Sequence, residues 1–446
     1  MIHETLTPLP FPVLSSFEQA PRPLPVNRDR ARMVMDRHGI DGLVALRPHN
    51  VFYLSNSWPV VTDFGGELPA MATFARDPDQ PGFFIGTPGS AWDLLKGDRE
   101  VPEIITFTAV ENWQDYIHAS PERMKVEPVA WGSSHPHSFA VDPAGVMSPR
   151  EARWRSAQEE ARPDSAPSIE WALARALRQS GLAHGRIAVD DMRVVWLLSR
   201  IGFDTVTCVP GDSIFREIRL VKQAHEIALI RQAQEASRNA AIAASRSLAP
   251  GMTYTEARAA FGMEAARHGA EIGFLLLGMT QGMLPDEVVR EGRSYMIDCG
   301  ARYQHYMGDF ARTVSIGDPT ATLTARHKAQ QVGRAAALEA IRPGMMFSQI
   351  NAIAREAMVK AGMPGDVIAA CHLHSVGLQH DDQPTRSDVP YPVMLDIPLE
   401  AGMCVTLDLP FIEIGWGAGH NEDLLLITDN GFDYMNAPDD PLLVVG

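Results

Sequence analysis

The chain has 446 residues, 45% hydrophobic and 21% charged, which fits about two folded domains and excludes a disordered chain. Its 55 acidic and 39 basic residues leave a formal charge of -16. With no Lys/Arg cluster along it, the chain is not expected to bind nucleic acid, and no apolar run has the length needed to span a bilayer.

Residues 1–26 carry six prolines (Pro8, Pro10, Pro12, Pro21, Pro23 and Pro25) and no basic segment leading into an apolar run. They read as an extended arm rather than a secretory signal. Asn27 is placed to cap a helix reaching about His38. A strand over 42–46, a helix over 50–55 and strands over 71–75 and 82–85 follow, the last two around an Asp77-Pro78-Asp79 turn. The stretch 143–162 is mostly polar. Residues 169–180 read as a helix, 185–190 as a strand and 194–201 as a helix. This alternation predicts an α/β domain over 27–215.

A long amphipathic helix is expected over 222–248, stopped by Pro250-Gly251. Thr253 and Glu256 form the signature of a capping box opening a helix to His268. Two further helices, over 323–342 and 348–361, are set among strands, giving an α+β domain over 218–446. Cys208, Cys299, Cys371 and Cys404 are widely spaced and form no CxxC pair. They read as reduced thiols in a cytoplasmic protein.

The chemistry concentrates in this second half. Ser294–Gly300 reads as a strand carrying Asp298, and Tyr306–Thr313 as the returning strand carrying Asp309. Turn-compatible residues between Ala301 and His305 would bring the two acids side by side, where they repel unless a proton or a cation lies between them. His374 follows in Cys371–His380, Asp408 lies in an apolar strand after Gly402, and Glu422 precedes the apolar run Leu424–Thr428. Acids beside such runs are costly to bury unpaired, so the set calls for one shared cationic partner.

This ordered set resembles the pita-bread metallohydrolases: methionine aminopeptidases, Xaa-Pro aminopeptidases, prolidases and creatinase. Residues 27–58 look like the start of a creatinase-type N-terminal domain, and 218–446 like the pita-bread catalytic domain. Lys222-Gln-Ala-His-Glu-Ile and Pro250-Gly251-Met-Thr are further familiar features. The resemblance implies an α/β N-terminal domain followed by an α+β catalytic domain whose metal ligands are Asp298, Asp309, His374, Asp408 and Glu422. Asp408 stands where the family usually has Glu. Asp298 would hold one ion and His374 with Asp408 the other, while Asp309 and Glu422 bridge them. It also implies two divalent ions (Mn, Fe, Co or Zn), a bridging water activated for hydrolysis, and a homodimer.

Three positions depart from the peptidases. A His expected before Gly292 is missing from Thr280-Gln281-Gly282-Met283. A second His expected seven residues after His374 is Asp381, with His380 one residue earlier. In the dimethylsulfoniopropionate lyases a catalytic Asp lies in this stretch. An Arg expected two residues before Glu422 is His420. His380, Asp381 and His420 are therefore the candidate catalytic residues, and His372 reads as a packed or supporting histidine. The expected function is hydrolysis of a short peptide or small amide, as in Xaa-Pro peptidases and prolidases. A creatinase-like C–N hydrolase, a C–S lyase and a non-catalytic binding protein on the same scaffold are the alternatives. The expected partner is a short peptide or small molecule, with no membrane involved.

Overall fold

The structure, a computed structural model, describes residues 22–65, 70–87, 99–107, 121–127, 141–278, 287–386, 389, 393–437 and 442–446. Most of the expected arm, and the Thr280–Met283 segment with Gln281, lie outside them. The chain divides into two compact units. One runs to Ile218 and includes Pro384–Pro392, and the other comprises Arg219–Gln383 and Val393–Gly446. No described helix is long and apolar enough to cross a membrane.

The N-terminal unit opens with α1 (Arg28–His38), whose first turn is capped by the Asn27 side chain accepting the Arg30 N–H. Gly39, in the left-handed region at φ 61°, ends it. β1 (Gly42–Ala45), α2 (Pro48–Ser55), β2 (Ala70–Ala75), β3 (Phe83–Gly86) and β4 (Glu103–Thr106) follow. Next come α3 (Pro149–Ala161), α4 (Ile169–Gln179), β5 (Arg186–Val189), α5 (Arg193–Arg200), β6 (Thr207–Pro210) and α6 (Asp212–Arg219). The sheet runs β4-β3-β2-β1-β5-β6. Its parallel β1–β5–β6 side and antiparallel β1–β2–β3 side make it mixed. Val44, Met71, Ile85 and Ile187 on the strands pack with Trp171, Leu177 and Leu198 from α4 and α5 into one core.

Asp190, just after β5, is buried. It accepts the N–H groups of Leu46 (2.8 Å) and Arg47 (3.1 Å) and the Asn50 amide (2.8 Å). It thus satisfies donors at the start of α2, which has no side-chain cap of its own.

The polar stretch 143–162 holds α3, a helix not expected there. Only Trp154 and Gln158 of α3 are buried, so it lacks the apolar period that marks a packed helix. Ser148 and Glu151 nevertheless form a reciprocal capping box.

The C-terminal unit begins with α7 (Ala224–Ser247) and α8 (Tyr254–Arg267), the latter entered through the Thr253–Glu256 capping box. β7 (Glu271–Leu277), β8 (Ser294–Tyr303), β9 (Tyr306–Met307) and β10 (Phe310–Ile316) follow, then α9 (Ala321–Ala340) and α10 (Phe347–Lys360). β11 (His372–Ser375), β12 (Cys404–Asp408), β13 (Phe411–Glu413), β14 (Gly417–Gly419), β15 (Leu424–Thr428), β16 (Gly431–Tyr434) and β17 (Leu442–Val445) complete it. One sheet runs β13-β14-β8-β10-β17, with β7 and β9 also on β8; the other runs β11-β12-β15-β16. Phe261 of α8 and the alanines of α7 pack on the first sheet, and Ile350 and Met358 of α10 on the second. Most pairings are antiparallel, but β14–β8 and β10–β17 are parallel. A single bridge, Ala311 to Glu422, links β10 to the segment before β15.

Candidate metal centre

The two sheets bring their acids to one place. β8 and β10 pair antiparallel with Asp298 opposite Ala311. The turn between them is tighter than the sequence suggests. β8 continues to Tyr303, and only Gln304 and His305 turn, with φ of 44° and 74°. Asp309 lies in the break between β9 and β10, where its N–H donates to Gln234 Oε1 on α7 at 2.7 Å. Gly308 precedes it, packed so closely on α7 that a Cβ there would meet the Ala233 carbonyl oxygen at 2.5 Å. In the second sheet β11 pairs with β12, placing His374 opposite Thr406 and His372 opposite Asp408. Glu422 reaches the centre from the bridge with Ala311, and His420 from the end of β14.

The five expected ligands converge. His374 Nε2 is 3.4 Å from Asp408 Oδ2, 3.5 Å from Asp309 Oδ2 and 3.9 Å from Glu422 Oε1. Three overlapping groups each offer ligand atoms within 4.8 Å of one another: Asp309, His374 and His380; Asp298, His420 and Glu422; and His374, Asp408 and Glu422. Asp309, His374 and Glu422 are 0%, 1% and 2% exposed. Both oxygens of Asp309, both ring nitrogens of His374 and His420, and one oxygen each of Asp408 and Glu422 are buried without a hydrogen bond. Such orphaned acceptors are costly in a dry interior. Carboxylate and imidazole together are the donor set of a divalent transition ion, and the residues present fit one.

The electrostatics show the same strain. Burial raises the Asp309 carboxyl, and burial with Asp309 and Asp408 nearby raises Glu422 well above the usual range. Burial works against charge on His374, but Asp408 and Asp309 outweigh it and take the ring up to about 9. Asp408 is held below its ordinary value, burial being overcome by His374.

The two departures that fall within the described residues occupy different places. His380 Nε2 is 3.1 Å from Asp309 Oδ2 and its Nδ1 is 3.6 Å from Asp381 Oδ2. Its ring meets that of Phe274 edge-on at 4.8 Å. Asp381 also lies 3.3 Å from His374 Nδ1. His420 Nδ1 lies 3.6 Å from Asp298 Oδ2. His372 stacks obliquely on His374 at 5.2 Å and joins none of the three ligand groups.

Several supporting residues escape a reading of the sequence. Thr406 donates its hydroxyl to Glu422 Oε1 at 2.7 Å. Gln234, which accepts from Asp309, donates to Asn436 at 3.0 Å, and Asn436 donates to Asp423 at 3.1 Å. Asp423 is also gripped by Arg312 and Arg334, each at 2.7 Å, and Arg312 donates to the Glu422 carbonyl at 2.7 Å. A continuous hydrogen-bonded path thus runs from Asp309 back to Glu422. Arg219 donates to Gln379 Oε1 at 2.8 Å and to Asp382 Oδ1, clasping the two residues that flank His380 and Asp381.

Residues 228–429, a span holding all of these site residues except Arg219 and Asn436, match Metallopeptidase family M24. The chain carries a family M24 metallopeptidase domain. The chain is 28% identical over 240 residues to an Xaa-Pro dipeptidase of Pyrococcus furiosus, covering 52% of this chain and 67% of that protein. It is 29% identical over 266 residues to the probable dipeptidase PepE of Mycobacterium tuberculosis, covering 57% and 69%. The prolidase from Pyrococcus horikoshii superposes with a TM-score of 0.63 at 18% identity, covering 93% of this chain and 99% of that one. Dipeptidase PepE from Mycobacterium ulcerans gives 0.62 at 20% identity, covering 94% and 96%. At these identities the likeness of structure is one of fold. The M24 domain has the pita-bread architecture expected from the ligand order.

Proposed function

We propose that this chain is a divalent-metal-dependent hydrolase of the Xaa-Pro dipeptidase type, acting on a short peptide or small amide. The observation that carries this reading is the convergence of buried carboxylate and imidazole atoms with no hydrogen bonds of their own. Asp298, Asp309, His374, Asp408 and Glu422 would hold two ions, which when bound supply Lewis acidity and an activated water. Thr406 orients Glu422, and Gln234 fixes the main chain at Asp309. His380 and Asp381 are the proton carriers. Burial works against charge on His380, but Asp309 and Asp381 take its ring up to about 11. With Asp309 engaged by a cation, Asp381 is left as the main partner. A cation there would take away the part of the rise that Asp309 causes and move the His380 ring back toward the ordinary imidazole range. From there it can donate to the leaving nitrogen.

The test is an assay of the full chain, stripped with a chelator, against a panel of Xaa-Pro dipeptides with Mn, Fe, Co or Zn added back. Hydrolysis of at least one peptide, only with metal, is expected. Failure on every peptide with every metal removes the peptidase reading.

The pairing of His380 with Asp381, in place of the peptidase histidine, favours a second reading. The same centre would then serve a small-molecule C–N hydrolase, or a lyase abstracting a proton beside a carboxylate. A screen of methylated amides and sulfonium metabolites tests it, with His380→Ala and Asp381→Ala expected to lose turnover of any substrate found. A homodimer belongs to the proposal as well, and sedimentation of the full chain tests it.

A further inference from the structure

One imidazole beyond the five expected ligands is aimed at the centre. His420 is 2% exposed, and neither ring nitrogen makes a hydrogen bond. Its main chain is fully engaged. The N–H donates to Thr313 Oγ1 at 3.0 Å, and the same hydroxyl donates to the His420 carbonyl at 3.0 Å. β14, which delivers His420, lies parallel to β8, which delivers Asp298, and Ser294 Oγ ties them by donating to the Ala418 carbonyl at 2.8 Å. The ring is therefore positioned by two neighbouring strands, with its nitrogens left over. Nδ1 is 3.6 Å from Asp298 Oδ2, too far for a hydrogen bond. Asp298, His420 and Glu422 together present ligand atoms within 4.8 Å. A buried imidazole with two idle nitrogens beside two carboxylates is costly as it stands, and a cation among the three removes that cost.

We propose that His420 is a metal ligand, holding one divalent ion together with Asp298 and Glu422. The inference rests on the metal centre proposed above and changes its composition. Each side of the centre then has its own imidazole, His374 with Asp408 on one side and His420 with Asp298 on the other, with Glu422 reaching both. Added nitrogen shifts the preference from manganese or magnesium toward zinc, cobalt or iron. The competing role for His420 is a protonated counter-charge to Asp298, which requires no metal.

Equilibrium dialysis of the stripped full chain against Zn²⁺ and against Mn²⁺, with the bound metal counted, separates these roles. His420→Asn is expected to lose one ion or to bind it at least about 100-fold more weakly, the upper end of what losing a mere supporting contact costs. Zinc binding should suffer more than manganese binding, and His420→Asp should recover manganese preferentially. If His420→Asn keeps its circular dichroism and binds the same number of ions with unchanged affinity, the inference is overturned and the metal centre stands. A wild-type chain that takes up no ion overturns the proposed function instead. Should the His420 variants not fold, X-ray absorption of the zinc-loaded His380→Ala chain decides, since His380 cannot contribute there. About one imidazole per zinc supports the assignment, and one for every two zinc ions overturns it.

Discussion

Arg219 and Asp382 form an ion pair in which each side chain is only 1% exposed. Lys222 stands 3.8 Å from the other Asp382 oxygen and donates to Ser375 Oγ at 3.1 Å. A Cβ on Gly377 would meet Asp382 Oδ2 at 2.2 Å, so the loop closes tightly over the pair. The residues between the clasped positions are His380 and Asp381, so a buried ion pair sets where the proposed proton carriers stand.

Asp382→Leu leaves the Arg219 charge buried without its carboxylate and is expected to cost about 3–5 kcal/mol. The Arg219→Met/Asp382→Leu double variant removes both charges and is expected to cost less than the sum of the two single changes. Urea unfolding of the four chains checks this. Strict additivity would show that the pair is not coupled.

Thr406→Val keeps the shape of the side chain and removes the hydroxyl that donates to Glu422. Metal affinity is expected to fall about 10-fold, with a loss of about 1 kcal/mol in stability. Calorimetric titration with Zn²⁺ reads the first quantity and chemical unfolding the second. Unchanged affinity would mean that Glu422 is oriented by other contacts.

A cation that quenches the repulsion among Asp309, Asp408 and Glu422 stabilises the folded chain. Zn²⁺ at 100 times its dissociation constant should add about 2.7 kcal/mol, raising the melting temperature above that in chelator. Scanning calorimetry with and without metal measures the shift. Equal melting temperatures would contradict binding at these acids.

Asp190 gives a pH signature that does not involve the metal centre. Burial, opposed by bonds from Asn50, Leu46 and Arg47, pushes its carboxyl up to about 6. The folded value lies above the unfolded one, so the native state binds this proton more tightly. The stability it contributes is complete below about pH 4 and lost as pH rises through about 6. Asp190→Asn should flatten this part of the profile. Unfolding free energies of both chains at pH 4, 5, 6 and 7 test it, and parallel profiles would exclude the linkage.

Much of this was legible in the chain because local chemistry and tertiary structure agree. Asn27 caps α1, and Thr253 with Glu256 caps α8. The eleven-residue spacing of Asp298 and Asp309 fits a hairpin whose strands carry their own apolar pattern. The misses have physical causes. α3 shows little apolar period because it buries only two side chains. α6 is short and charged, and its last residue, Arg219, resembles a surface arginine until Asp382 is folded against it. Thr406 is one polar residue in an apolar strand, and its role appears only once β12 and β15 are in register. The chain between Tyr303 and Tyr306 turns on two non-glycine residues in the left-handed region, a conformation that Gln and His do not advertise.

Gly308 carries a consequence for anyone altering this centre. It packs on α7 against both the Ala233 carbonyl and the Ser237 hydroxyl, and the first of these contacts is between two main chains, so side-chain exchanges elsewhere leave it in place. Asp309 is the next residue, and its amide is tied to the same helix. A variant library aimed at retuning the cavity can therefore vary what surrounds this aspartate more freely than its depth, which follows the position of α7 and the small side chain of Ser237.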